Sequence, residues 1–148
     1  MKSKVKSKKM SPLDGNSCPH CGTMMKSTQG TLKFPVNGEE ISVLNSSHLK
    51  CPKCKETILR LDEARKLRES AQDLYRSKYD LLTAGDIQSL RERHGFNQGE
   101  FGDLLGLGQN TLSRWEAGRN VQSLAMDHLL RLVRDVPGTL DYLRRLVA

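Results

Sequence analysis

NQGEFGDLLGLGQNTLSRWEAG, Asn97 to Gly118, contains the only tryptophan of the chain and decides how its C-terminal part is read. Asn97 suits a helix N-cap, because its side-chain oxygen can accept from a first-turn N–H that has no helical partner. Gly106-Leu107-Gly108 reads as a three-residue turn, Gln109–Ala117 as a further helix, and Gly118 as its stop. At about 100° per residue, Leu112 and Trp115 fall about 60° apart on one side of that helix. Asn110 and Arg114 fall about 40° apart on the other. The apolar side is expected to face a core and the polar side to face outward. A helix, a tight turn and a second helix of this kind form a helix-turn-helix, whose second helix enters the DNA major groove. Asn suits bidentate pairing to adenine and Arg to guanine, so Asn110 and Arg114 are the candidate base-reading residues. Outside such a frame each would be read as a solvated surface side chain.

Further helices flank this stretch. Thr83-Ala84-Gly85-Asp86 starts one, with Thr83 as cap and Asp86 in the first turn, and Gly95 ends it. Another runs from about Ser123 to Val136, before Pro137, and a last one is TLDYLRRLV, Thr139–Val147. Gly99 and Gly102 lie inside a predicted helix at about 1 kcal/mol each on propensity, and are read as allowing close packing by a neighbouring helix or backbone. Leu124, Leu129, Leu132, Val133 and Val136 in the fourth helix, and Leu140, Leu143, Leu146 and Val147 in the fifth, exceed what so small a domain is expected to cover. A homodimer through these helices is expected, with mutual coverage inside one chain as the alternative. Upstream, Leu61–Leu82 has no Gly or Pro and mixes charges of both signs, so it reads as a solvated connecting helix. Leu67, Leu74 and Leu81 recur at seven-residue spacing beside Tyr75, too few to argue for a coiled coil.

All four cysteines lie in residues 17–60. Cys18-Pro-His-Cys21 and Cys51-Pro-Lys-Cys54 are C-x-x-C knuckles separated by 29 residues. Two such turns supply a tetrahedral four-thiolate site, so one structural zinc ion on Cys18, Cys21, Cys51 and Cys54 is expected. Four thiolates leave no position for a reactive water, and the metal's binding energy would fold a segment short of apolar residues. His20 and His48 are read as spectators. Between the knuckles, TLKFPV and EEISVL flank Asn37-Gly38, a two-residue hairpin signal, while Pro35 demotes the first strand to an edge or a bulge.

The net charge of +7 over 148 residues suggests a polyanionic partner. The excess is N-terminal: MKSKVKSKKM carries five lysines and no acid, whereas residues 83–148 balance eight basic against eight acidic side chains. Residues 1–16 read as a disordered basic tail, solubilising or contacting phosphate. No apolar run is long enough to span a membrane, and the N-terminus lacks a signal-peptide stretch, so the expected location is cytoplasmic.

The stretch from Gln98 to Asn120 resembles the helix-turn-helix of the phage-repressor (XRE/Cro) superfamily. From Cys18 onward the chain resembles the MqsA/YgiT-type antitoxins of bacterial type II toxin–antitoxin systems, on its two C-x-x-C knuckles and its SRWEAG stretch. The resemblance implies an α+β protein: a small zinc domain with a β-hairpin over 17–60, a bridging helix over 61–82, and an all-α, five-helix domain over 83–148. It also implies that the zinc domain binds a ribonuclease toxin, and that the helical domain dimerises, binds double-stranded operator DNA and represses its own operon. The family's base-reading Asn and Arg, four residues apart, correspond to Asn110 and Arg114. Gln98 and Arg119 become the candidate phosphate contacts, and Arg91 with Glu116 a structural ion pair. The lysine tail is not part of the family's pattern, and Gly108 stands where many repressors have a Ser cap, which suggests a looser helix start.

Other readings fare less well. A solitary zinc-finger/helix-turn-helix regulator without a toxin partner is the alternative. An enzyme is disfavoured, since His94 and His128 have no nucleophile or carboxylate at a catalytic spacing. An RNA-binding zinc ribbon would need exposed aromatics for base stacking, and residues 17–60 offer only Phe34.

Overall fold

The computed structural model describes residues 16–148, so the expectation for the lysine-rich tail falls outside the described residues. Three strands come first: β1 (Lys26–Val36), β2 (Glu39–Lys50) and β3 (Thr57–Ile58). Six helices follow: α1 (Leu61–Lys78), α2 (Ala84–Arg93), α3 (Gln98–Leu104), α4 (Thr111–Glu116), α5 (Leu124–Asp135) and α6 (Thr139–Val147). This is the expected α+β architecture, a hairpin with four clustered cysteines followed by a helical C-terminal part. The strands form one sheet in the order β1-β2-β3, with Leu49 opposite Ile58 in the antiparallel β2–β3 pair. β1 has a single sheet neighbour, which is where a proline without an N–H is tolerated. Asn37 and Gly38 both have positive φ, 48° and 82°, as a two-residue turn between right-twisted strands requires.

The described residues fold as two compact units: 16–32 with Leu44–Arg65, and Lys33–Val43 with Lys66–Ala148. The hairpin tip therefore belongs with the helices, whereas the sequence segments divide the chain at residues 60 and 82. The strict alternation of β2 is lost near the same place. Ile41 and Val43 are buried before Asn45, and His48 and Leu49 after it. Asn45 has φ 53°, a left-handed residue that breaks the two-residue alternation of the strand. Asn is among the few side chains that tolerate this conformation.

In the helical unit, α2, α3 and α4 pack together around Ile87, Leu90, Phe101, Leu104, Leu112 and Trp115, with Leu130 and Val133 of α5 in the same core. Capping boxes start α2 and α3. Thr83 Oγ1 accepts from the Asp86 amide at 3.1 Å, and Asn97 Oδ1 from the Glu100 amide at 2.9 Å. The buried stripe of α1 runs through Leu67, Ala71 and Tyr75, a helical period of four, while Leu74 is exposed. The seven-residue leucine spacing is thus not the seam. Gly102 is not required for close packing either: a Cβ there would meet nothing within 4 Å, and one on Gly99 would meet only the Asn97 side chain, at 3.3 Å.

A polar knot joins the segments around α5. Asp127, 1% exposed, accepts from the Leu82 amide at 2.7 Å, from Gln122 at 3.0 Å and from Arg131 at 2.7 Å. Gln122 also donates to the Leu82 carbonyl, and its own backbone carbonyl accepts from Asn37 of the hairpin tip at 3.2 Å. Burial, the largest single influence on the Asp127 carboxyl, raises its pKa, but the donors from Arg131, Leu82 and Gln122 together outweigh it and hold the group below its usual value.

Candidate metal centre and nucleic-acid interface

The two knuckles have the same backbone construction. The Cys18 carbonyl accepts from the Gly22 amide and the Cys51 carbonyl from the Lys55 amide, at 2.8 and 3.1 Å. The Cys18 amide donates to the Thr23 carbonyl and the Cys51 amide to the Glu56 carbonyl, both at 2.9 Å. Each turn is closed by a left-handed residue one position after the second cysteine, Gly22 at φ 71° and Lys55 at φ 66°. The glycine is a readable signal of this turn; the lysine is not.

These turns bring the four ligand atoms of Cys18, Cys21, Cys51 and Cys54 within 4.8 Å of one another. Sγ of Cys18 lies 3.5 Å from that of Cys54, and Sγ of Cys21 lies 3.5 Å from that of Cys51. A disulfide would need about 2.05 Å. A tetrahedron of thiolates about 2.3 Å from a central ion has edges of about 3.8 Å, so the group fits a metal ion. Hydrogen bonding with the Thr23 side chain and backbone lowers the Cys21 thiol to about 6. At Cys54 the Glu56 backbone bond also lowers the pKa, but burial and the neighbouring thiols push it up to about 12. Four adjacent sulfurs cannot all ionise without a cation among them. His48 is not in the group: it is buried, with Nδ1 2.9 Å from the Ser46 carbonyl and its ring lying over Gly30. His20 is exposed.

The second site lies on the helical unit. Leu112 and Trp115 are 3% and 4% exposed, so α4 buries the side that the helical wheel predicts. Arg114, Asn110, Gln98 and Arg119 are all exposed. The helix is shorter than expected: it starts at Thr111 rather than Gln109, and Asn110 is its N-cap in the left-handed conformation, φ 61°, without a side-chain capping bond. A helical wheel therefore does not reach Asn110. Its carbonyl still accepts from the Arg114 amide at 3.1 Å, which keeps the two residues one turn apart. A groove of about 500 Å³ between α3 and α4 is lined by Gln98, Gly99, Gly102, Asn110 and Ser113, among others. Gln98 and Asn110 share it; Arg114 and Arg119 are not among its lining residues.

Arg91 of α2 clamps Glu116 at the end of α4. Nε lies 2.7 Å from Oε1 and Nη2 3.0 Å from Oε2, while Nη1 donates to the Phe96 carbonyl at 2.8 Å. The bond to Glu116 raises the Arg91 pKa further. A contact that sequence reasoning missed joins this pair: Gln98 Nε2 donates to Glu116 Oε2 at 2.8 Å. Nothing in the local spacing signals it, since residues 98 and 116 meet only through the packing of α3 on α4.

On the outer surface of α5 and α6, Leu124, Leu132, Val136, Leu146 and Val147 are exposed, together with Tyr142. Val133 is buried in the core, and Leu129, Leu140 and Leu143 pack against it, so part of the expected surplus is covered within the chain. Among the described residues no helix is long and apolar enough to cross a membrane.

Four clustered cysteines that could hold a metal ion, on a hairpin sheet followed by a helical C-terminal part, define a class of α+β protein with a candidate metal site. Within it, the chain belongs to the MqsA antitoxin family, described as the antitoxin component of a bacterial toxin–antitoxin system, whose profile matches residues 16–144. The chain is also similar to Antitoxin HigA-2 of Vibrio cholerae serotype O1, 35% identical over 65 residues that make up 44% of this chain. The match spans 62% of that relative's length, less than two thirds.

Proposed function

We propose that this antitoxin is also a sequence-specific DNA-binding repressor that is inactive as an enzyme and acts in the cytoplasm. The observation that carries the reading is one helix with two faces: Leu112 and Trp115 are buried, while Arg114 and the capping Asn110 are exposed, Asn110 in the groove that Gln98 also lines. In this reading Asn110 and Arg114 read bases and Gln98 and Arg119 hold phosphates. The ion on Cys18, Cys21, Cys51 and Cys54 is one structural zinc, favoured by four soft thiolates in a closed set. Residues 17–60 form the surface for a ribonuclease toxin, 61–82 connect, and 83–148 bind DNA. A homodimer forms through the exposed apolar residues of α5 and α6 and presents two α4 helices to a palindrome with half-sites roughly 34 Å, or a multiple of that, apart.

The test is binding to a duplex of the chain's own promoter region and to mismatched duplexes at several salt concentrations. Asn110→Ala and Arg114→Ala should each cost about 1–3 kcal/mol and relax preference at one base pair per half-site. Gln98→Ala and Arg119→Ala should weaken all sequences alike, Arg119→Ala with a salt slope lower by about one per contact. Intact discrimination in the first two variants would remove α4 as the reader. Co-purification with the product of the adjacent gene decides between antitoxin-repressor and a regulator without a toxin partner.

A further inference from the structure

We infer that Glu116 is a positioning residue for DNA binding: clamped by Arg91, it orients the Gln98 carboxamide so that Gln98 meets a phosphate in a fixed pose. The inference rests on the DNA-binding reading above and deepens it. A carboxylate only accepts hydrogen bonds, so the Gln98 atom 2.8 Å from Glu116 Oε2 must be the nitrogen. One Nε2 hydrogen is then committed to Glu116, and the second is left to donate elsewhere. Gln98 is exposed and lines the groove that Asn110 also lines. The free donor thus sits at the edge of the proposed base-reading site.

Glu116 is suited to this role because its charge is already matched. Its side chain is only 4% exposed, and Arg91 gives it two charge-assisted bonds at 2.7 and 3.0 Å. A carboxylate without that partner would repel an approaching phosphate. The Gln98 bond itself contributes little to folding, since the side chain is exposed and must give up rotamer freedom to form it. Its main consequence is to remove that freedom before DNA arrives, which lowers the ordering cost of association.

The experiment is a double-mutant cycle on the full chain with Gln98→Ala, Glu116→Gln and both together, titrated against a duplex of the chain's own promoter region. Gln98→Ala should lower affinity about tenfold for all sequences, the worth of a hydrogen bond to a charged group. Its salt slope should stay unchanged, because no cation is removed. Glu116→Gln should lower affinity several-fold in the wild-type background and have no further effect once Gln98 is alanine. Equal losses in both backgrounds, or none in folded Glu116→Gln, would overturn the inference by making Glu116 purely structural. NMR relaxation of the Gln98 side-chain amide in the unsubstituted chain needs no variant to fold: an ordered amide is expected, and a freely rotating one overturns the proposal. If the unsubstituted chain binds no promoter duplex while that amide is ordered, the DNA-binding reading is what has failed.

Discussion

In the cysteine-bearing unit, the buried residues that cluster are Cys18, Met25, Leu49 and Cys51, with Cys21, Cys54 and Ile58 packed against them. In the helical unit they are Ile87, Leu90, Phe101, Leu104, Leu112, Trp115, Leu130 and their neighbours. The first set is mostly sulfur. Buried carbon is scarce there for two knuckles and a hairpin, and an ion held by the four cysteines would supply what the core lacks. The second set is a continuous leucine- and aromatic-rich core whose helices also carry their own caps. One unit is thus built around a few ligating atoms at fixed spacing, and the other around a surface area. Ligand spacing tolerates almost any residue between the cysteines, whereas area depends on which face each residue occupies.

That contrast is testable, most severely at the metal. Stripping the ion with a strong chelator, or Cys51→Ser, should remove binding energy on the order of 10 kcal/mol from the first unit. Amide NMR dispersion should collapse for residues 17–32 and 44–58 while signals of α2–α6 persist. Collapse of both sets together would break the contrast. Phe101→Ala is the reciprocal case. Phe101 is fully buried, and its truncation should cost the helical unit about 3–5 kcal/mol in urea unfolding, with cysteine-unit signals unchanged.

A third expected effect concerns the polar knot. Asp127→Ala should cost about 3 kcal/mol, because the buried Leu82 amide loses its acceptor, Gln122 loses one of its two, and Arg131 keeps only the exposed Asp80. The same residue sets an acid limit. Its folded pKa lies below the unfolded value of 3.8, as does that of Asp86, which the Thr83 hydroxyl and amide hold down. Groups depressed in this way stabilise the fold above their unfolded pKa and lose that contribution as the pH falls through the folded one. Thermal midpoints of the helical unit should therefore be flat above about pH 5 and fall below about pH 4, and Asp127→Ala should blunt the fall. An unchanged acid limb in that variant would show that Asp127 does not set it.

The smallest effect pairs two glycines. Gly102→Ala adds a methyl where nothing lies within 4 Å and should stabilise α3 by about 0.5–1 kcal/mol. Gly118→Ala should destabilise by about 1 kcal/mol, because φ is 65° there and a Cβ is strained whatever the space. Thermal melts of the two variants should move in opposite directions.

Much of this protein was legible in its residues taken in order. The knuckle spacing marks the thiol group, Asn37-Gly38 the hairpin turn, Thr83 and Asn97 the helix starts, and the positions of Leu112 and Trp115 the buried side of α4. Each of these is a local constraint: a ligand spacing, a dihedral preference, a cap or a period. The comparison with the MqsA family shows the same kind of legibility at the scale of the chain. What stayed hidden depends on segments far apart meeting. Leu74 is exposed while Ala71 is buried, because the face of α1 that is covered is set by its neighbours and not by its own leucines. Asn45 interrupts the alternation of β2 between Val43 and His48, and a single left-handed residue leaves little trace in a strand's composition. Short β3 exists only because β2 is there to pair with it. Asp127 reads as one acid among several on an amphipathic helix until Leu82 and Gln122 close around it. Gln98 reaches Glu116 across eighteen positions. Local chemistry is set by the order of the residues, but which polar atoms become partners is set by packing, and no periodicity along one chain records it.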